Sequence, residues 1–163
     1  MNIQIQDWIR QMKAVQQGNL WASKHYKLML KDLSDPVAFN RPHPQLHTIA
    51  EIIAHMTFWR AETLLKIKTG KGMHTDDSPG NWQENSTLLK IGWRKLKSDY
   101  DDSFNELILL ISQKEDDFLD QTYEDPDFKG NYPYRFVLDG MLHHDLYHLG
   151  QMGMLLKLIQ SNN

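Results

Sequence analysis

A histidine-rich segment, HHDLYH at 143–148, carries the residue spacing in this sequence that is most informative about chemistry. At about 100° per residue, His144 and His148 differ by only about 40° around a helix axis and lie about 6 Å apart along it. Two imidazoles in this arrangement can hold one metal ion from a single helix face. His143 is about 100° away from His144 and does not share that face.

Apolar neighbours indicate that this pair lies on a buried face. His144 and His148 fall in line with Met141, Met152 and Leu155, which form the apolar stripe of the same segment. Two histidines buried without partners would cost several kcal/mol in lost hydration. A carboxylate, a backbone carbonyl or a metal ion would each satisfy them, so the spacing alone leaves internal hydrogen bonding and metal binding both open.

A third imidazole is available on another long apolar segment. His55 lies between Ile52 and Trp59 at helical spacing, so it also projects from an apolar face. Together with His144 and His148 it would form a three-histidine set. Three protein ligands leave one coordination position for water or substrate, which is the arrangement of catalytic rather than structural zinc.

Two polar residues could support such a site. Glu51 lies one turn before His55 and could orient an imidazole or act as a base, although an ordinary surface carboxylate is the alternative interpretation. Gln151 follows His148 by three residues and could line the site or bond a ligand. An amide at the edge of the core is the alternative for Gln151. The sequence indicates no catalytic group beyond a water molecule on the metal.

The elements that would position these residues are helical. Apolar residues recur at steps of three and four through most of the chain. No segment alternates with a period of two for long enough to predict a strand. We therefore predict an all-α fold, a four-helix bundle with one additional short helix, in which the site forms between facing helices. The predicted helices are 5–15, 22–33 (the short one), 46–70, part of 86–119, and 134–159, with a loop at 70–85.

Composition limits the class of protein. With 163 residues the chain predicts a single domain, 1–163. A net charge of −3 argues against a nucleic-acid-binding surface, and the lack of cysteine excludes disulfides and thiolate ligands. No apolar run approaches the ~20 residues that span a bilayer, and the first residues do not resemble a signal peptide. We expect a cytoplasmic protein that binds neither nucleic acid nor membranes.

Three segments resemble the DinB-like superfamily of metal-dependent proteins. They are GNLWASKHYKLMLKDL, RPHPQLHTIAEIIAHMTFWR and MLHHDLYHLGQMGMLLKL, within 18–158, and HDLYHLGQM is the most specific part. The resemblance implies a four-helix bundle, often a homodimer, which holds a divalent zinc or nickel ion between one histidine of the second bundle helix and two of the last. Matched to this sequence, those ligands are His55, His144 and His148.

Several functions are compatible with such a site. A three-histidine metal ion can activate water or polarise an electrophile, so hydrolysis of a small molecule is one expectation. The resemblance adds transferases that use low-molecular-weight thiols such as bacillithiol or mycothiol. A metal-stabilised bundle that binds a small ligand without turnover is a second class, and a purely structural set of hydrogen-bonded histidines is a third.

Overall fold

Four long helices form the frame of the protein in a computed structural model, which describes residues 2–161. Short helices and one hairpin connect them, so the fold is the predicted four-helix bundle. In chain order the elements are α1 (Ile3–Gln17), α2 (Tyr26–Leu30), α3 (Asp35–Ala38), α4 (Ile49–Thr69), α5 (Asn85–Ile91), α6 (Trp93–Ser112), a 3₁₀ helix (Asp116–Asp120), β1 (Thr122–Asp125), β2 (Gly130–Pro133) and α7 (Tyr134–Ser161).

The core lies between the long helices. Helix α4 packs against α6 and α7, and α1 packs against α6 and α7 as well. Their inward faces carry apolar side chains that are almost completely buried, among them Ile5, Met12, Ile53, Met56, Leu107, Ile111, Leu138 and Met152. Between residues 2 and 161, no helix combines the length and the apolar character needed to cross a membrane.

Helix α4 has a well-defined beginning and end. The Thr48 side chain accepts a hydrogen bond from the Glu51 backbone N–H, and the Glu51 carboxylate accepts one from the Thr48 N–H, forming a capping box. Arg41 and the backbone N–H of Asn85 donate to the same carboxylate. The interpretation of Glu51 as an ordinary surface residue is therefore wrong, because its carboxylate is buried and joins three segments. At the other end, Gly70 closes α4 in the left-handed conformation.

The short helices differ from the prediction in number and in position. The segment predicted as one helix at 22–33 contains only α2, and Pro36 lies in the first turn of a separate helix, α3, where proline is well tolerated. The helix predicted within 86–119 is divided at Gly92, whose φ of 87° is rarely adopted by other residues. Helices of four to seven residues are too short to show a periodicity of their own.

The prediction that the chain contains no strand is wrong. Strands β1 and β2 pair antiparallel, with Thr122 opposite Pro133 and Asp125 opposite Gly130. Each strand has four residues, which is too few for alternation to stand out from the sequence. The chain that leaves α4 also joins β1, because the Gly72 N–H donates to the Glu124 carbonyl at 2.8 Å. This contact fixes the hairpin beside the C-terminal end of α4.

A buried polar network joins all four long helices. The guanidinium of Arg60 (α4) donates to Asp145 (α7) at 2.7 Å, and neither side chain is exposed. The Gln16 amide (α1) donates to the same carboxylate at 2.9 Å, and the Tyr100 hydroxyl (α6) donates to the Gln16 carbonyl oxygen at 2.7 Å. Burial opposes the charged form of Arg60, but Asp145 and Tyr100 hold the pKa of its guanidinium above the usual value.

We expect Asp145→Asn to destabilise the protein by about 3–5 kcal/mol, because it leaves the buried Arg60 charge without its carboxylate. Urea unfolding followed by circular dichroism measures this change in the free energy of unfolding. Asp139→Asn is the matched control, since Asp139 is exposed on the same helix and its substitution should cost less than about 0.5 kcal/mol. Equal losses in the two variants would contradict a stabilising role for the pair.

Candidate metal centre

Three imidazoles from two helices converge on one point. His55 projects from the second turn of α4, and His144 and His148 project from successive turns of α7. The Nε2 atom of His144 lies 2.9 Å from Nε2 of His55 and 3.0 Å from Nε2 of His148. One ring nitrogen from each residue lies within 4.8 Å of the other two. The structure thus brings together the three histidines that the spacing singled out.

Hydrogen bonds at the opposite ring nitrogens determine which atoms carry protons. Nδ1 of His55 lies 3.1 Å from the backbone carbonyl oxygen of Asn81, which can only accept, so this nitrogen carries the hydrogen. Nδ1 of His148 lies 2.7 Å from Oε1 of Gln151 and donates to it in the same way. Both Nε2 atoms therefore present lone pairs to the centre of the cluster.

This donor set fits a metal ion better than it fits an internally bonded cluster. The Nε2 of His144 faces the lone pairs of both His55 and His148 but carries at most one hydrogen, so one lone pair lacks a donor. The Nδ1 of His144 is buried and has no hydrogen-bond partner among residues 2–161. A cation bound by all three Nε2 atoms would satisfy these three lone pairs, and the hydrogen of the neutral His144 ring would then lie on Nδ1. Zn–N bonds of about 2.0–2.1 Å are compatible with nitrogens separated by about 3 Å.

Burial keeps the three imidazoles neutral. Desolvation, together with the neighbouring imidazole of His148, lowers the pKa of His55 to about 4. The same two causes, with a smaller contribution from His55, lower the pKa of His144 to about 3. Burial also lowers the pKa of His148. At neutral pH each ring therefore has a free lone pair, which metal binding requires.

In the metal-free protein we expect stability to fall as the pH drops from about 6.5 towards 4, because His55 titrates near 4 when folded and near 6.5 when unfolded. Above pH 6.5 the ring is neutral in both the folded and the unfolded state and does not contribute to the pH dependence of stability. Below it, the unfolded chain binds a proton that the folded chain does not. Each such histidine lowers the free energy of unfolding by up to about 1.4 kcal/mol per pH unit.

Urea unfolding at pH 7, 6 and 5 in the presence of a chelator measures this slope. His144→Asn should make the decline shallower, because one of the buried imidazoles is removed. His43→Asn is the control, since His43 is exposed on a loop, and it should follow the wild-type slope. Identical slopes for wild type and His144→Asn would contradict the assignment of the pH dependence to these buried rings.

The loop between α4 and α5 holds His55 in place. Asn81, whose backbone accepts from His55, is itself buried, with its side-chain oxygen accepting from Trp59 Nε1 at 2.8 Å. The indole of Trp82 stacks on the His55 ring at 3.8 Å and on the His47 ring at 3.8 Å, so it lies between the two imidazoles. The sequence predicted this segment as a loop with Trp82 as an anchor in the loop or core, but it indicated neither the role of Asn81 nor the stacking of Trp82 on His55, because loop contacts follow no periodic spacing.

The two residues considered as supports for the metal site lie in different places. Gln151 contacts His148 directly through the hydrogen bond described above. Glu51 lies in the capping box at the start of α4, where its carboxylate is occupied by Thr48, Arg41 and Asn85. The group of converging nitrogens therefore contains three imidazoles and no carboxylate.

A cavity of about 780 Å³ begins at the three histidines. It runs between α4 and α7, and the β1–β2 hairpin and the 71–84 loop also contribute to its walls. Trp59 and Trp82 line it near the histidines, while Lys66, Tyr123 and Asp125 line it beside the hairpin. No pattern in the sequence indicated Lys66, Tyr123 and Asp125, because they come from α4 and from a hairpin that was not predicted. The imidazole cluster is thus accessible to a small molecule in the cavity.

The fold and the site together define the class of this protein. It is a four-helix bundle with a candidate metal centre, which three histidines form at the wall of a cavity. The sequence profile of the DinB superfamily matches residues 24–152. The chain therefore belongs to the DinB superfamily, as the motifs predicted. A search of curated proteins found no match.

Among solved structures, the chain is similar to YfiT from Bacillus subtilis, described as a probable metal-dependent hydrolase with an unusual four-helix bundle topology. The TM-score is 0.66 and the sequence identity 12%, over 96% of this chain and 88% of YfiT. At this identity the likeness concerns the fold alone.

Proposed function

We propose that this protein is a metal-dependent enzyme that hydrolyses a small molecule, with a divalent ion held by His55, His144 and His148. The observation that carries the proposal is the convergence of three Nε2 atoms, 2.9 and 3.0 Å apart, at the wall of a cavity of about 780 Å³. Superfamily membership and the description of YfiT as a probable metal-dependent hydrolase support the same reaction class.

The ligand set favours catalysis over a purely structural role. Three imidazoles suit zinc with one further position for water or substrate, whereas nickel would take additional ligands. Because all three ligands are neutral, they leave the positive charge of the ion undiminished by carboxylates. A divalent ion bound here would polarise a substrate carbonyl and lower the pKa of a bound water or thiol.

The chain itself supplies orientation and shielding. The Asn81 carbonyl and the Gln151 amide oxygen keep the Nδ1 hydrogens of His55 and His148 on the side away from the cluster. Trp82 covers one face of the His55 ring and keeps water from it. Trp59 forms an apolar part of the cavity wall next to the histidines. These contacts hold the lone pairs in place before any ligand arrives, which reduces the cost of binding.

We expect His148→Ala to weaken zinc or nickel affinity by more than about 100-fold, beyond the 10–100-fold typical of residues that only support a ligand. Isothermal titration calorimetry, on protein purified without a nickel column, measures the affinity. His143→Ala is the matched control, because His143 is the neighbour of His144 but lies outside the converging group. Full metal retention by His148→Ala would show that the wrong histidines have been chosen.

We expect the zinc- or nickel-loaded protein to hydrolyse at least one member of a panel of small esters and amides. The activity should be lost on chelation and in His148→Ala, and should be unchanged in His43→Ala, which alters an exposed loop residue. A parallel panel of thiols, bacillithiol and mycothiol included, with electrophiles tests transfer. Activity only in that panel would replace hydrolysis by thiol transfer. Metal binding without turnover in either panel would make the protein a metal-stabilised binding module.

A further inference from the structure

The cavity has a second group of polar residues, which lies away from the histidines beside the hairpin. Lys66 lies 11 residues after His55 on α4, which places it about 16 Å further along the helix axis. Both residues line the same cavity, and Thr63 and Trp59 line it between them. A ligand bound near the histidines could therefore extend along α4 to the region beside the hairpin.

The Lys66 ammonium at this end retains hydrogen-bonding capacity. It is buried and donates to Asp125 at 2.9 Å, while Glu62 lies 3.9 Å away. The other oxygen of Asp125 accepts from the backbone N–H groups of Asp127 and Phe128. An ammonium has three N–H donors, and one strong bond to Asp125 leaves donors that can reach a ligand.

The Tyr123 hydroxyl is the second polar group at this end. The residue is 1% exposed and lines the cavity, and its hydroxyl oxygen has no hydrogen-bond partner among residues 2–161. Lys66 Nζ lies 5.4 Å from the centre of the Tyr123 ring, so the two groups are neighbours. Burial raises the pKa of the hydroxyl most, and the nearby Asp125 carboxylate, an alternative acceptor for its hydrogen, raises it further. The hydroxyl therefore stays protonated and can donate to a ligand in place of Asp125.

The local charge disfavours an anionic ligand. Two buried carboxylates, Glu62 and Asp125, surround the single ammonium of Lys66, so this end has no excess positive charge. Arg135 is the other cation of the cavity wall and pairs with Asp120, whereas Asp76 and Asp127 add negative charge. A ligand carboxylate or phosphate would be repelled, whereas an uncharged acceptor can use the free donors without repulsion.

We propose that Tyr123 and Lys66 form a subsite for an uncharged hydrogen-bond acceptor of the substrate, such as an amide carbonyl or a hydroxyl. The substrate is then an elongated molecule with its reacting group near the histidines and an uncharged acceptor at the other end, beside the hairpin. This inference rests on the proposed function, because it takes the histidine cluster as the place where the reacting end binds.

The test uses zinc-loaded protein and a series of linear alkyl hydroxamates, whose hydroxamate end binds zinc and whose lengths increase up to about 16 Å, the rise of α4 from His55 to Lys66. The distal end is a methyl group, a primary amide or a carboxylate. Calorimetry should give an affinity about tenfold higher for the amide than for the methyl compound of the best length, as expected for one added hydrogen bond. The carboxylate compound should bind more weakly than the amide.

Tyr123→Phe should remove the tenfold amide preference and leave the affinity for the methyl compound unchanged, which also shows that the variant is folded. Tyr132→Phe is the matched control, since Tyr132 pairs with Tyr123 in the hairpin and its hydroxyl bonds the Phe128 carbonyl. Equal binding of amide and methyl compounds, a preference retained in Tyr123→Phe, or tightest binding of the carboxylate would overturn the subsite while leaving the metal site intact. Failure of every hydroxamate to bind would overturn the proposed function and the subsite together.

Discussion

The ion pair between Arg60 and Asp145 is the interaction on which the arrangement of the bundle depends. A guanidinium and a carboxylate with no exposure to solvent must keep each other as partners, so the helices that carry them cannot rotate or slide independently. Gln16 on α1 and Tyr100 on α6 are hydrogen-bonded into the same network, so the positions of these two helices are constrained as well. Asp145 directly follows His144, so the contact that orients Asp145 towards Arg60 also sets the direction of the neighbouring imidazole.

The histidine cluster is a second constraint on the same two helices. Apolar packing between α4 and α7 tolerates small shifts, but a ring nitrogen of His144 held 2.9 and 3.0 Å from those of His55 and His148 does not. The ion pair and the cluster use different directions from α7: Asp145 meets Arg60 of α4 and Gln16 of α1, whereas His144 and His148 line the cavity. The network around Arg60 and Asp145 thus sets the orientation of α4 and α7, and the histidine cluster requires this same orientation.

Much of the fold and the centre of the site follow from local sequence patterns, and the rest does not. The four long helices show apolar periodicity, and the His144–His148 spacing is a property of one helix turn, so both are visible in the sequence. Contacts between distant segments have no such pattern: Gln16 and Asp145 are 129 residues apart, and His55 and Asn81 are 26 apart. The hairpin was missed because four-residue strands show too little alternation, and with it the far end of the cavity.

His55 and His148 each donate the hydrogen on Nδ1 to an acceptor, and the two acceptors depend on the sequence in different ways. His55 donates to a backbone carbonyl, a group that every residue type at position 81 would supply. His148 donates to the side chain of Gln151, which most substitutions would remove. Sequence drift at these two positions therefore has unequal consequences. At position 81 a substitution keeps the acceptor for His55 and acts through the loop, because it removes the side-chain bond that Asn81 makes with Trp59. At position 151 it acts directly on the tautomer of a histidine in the cluster.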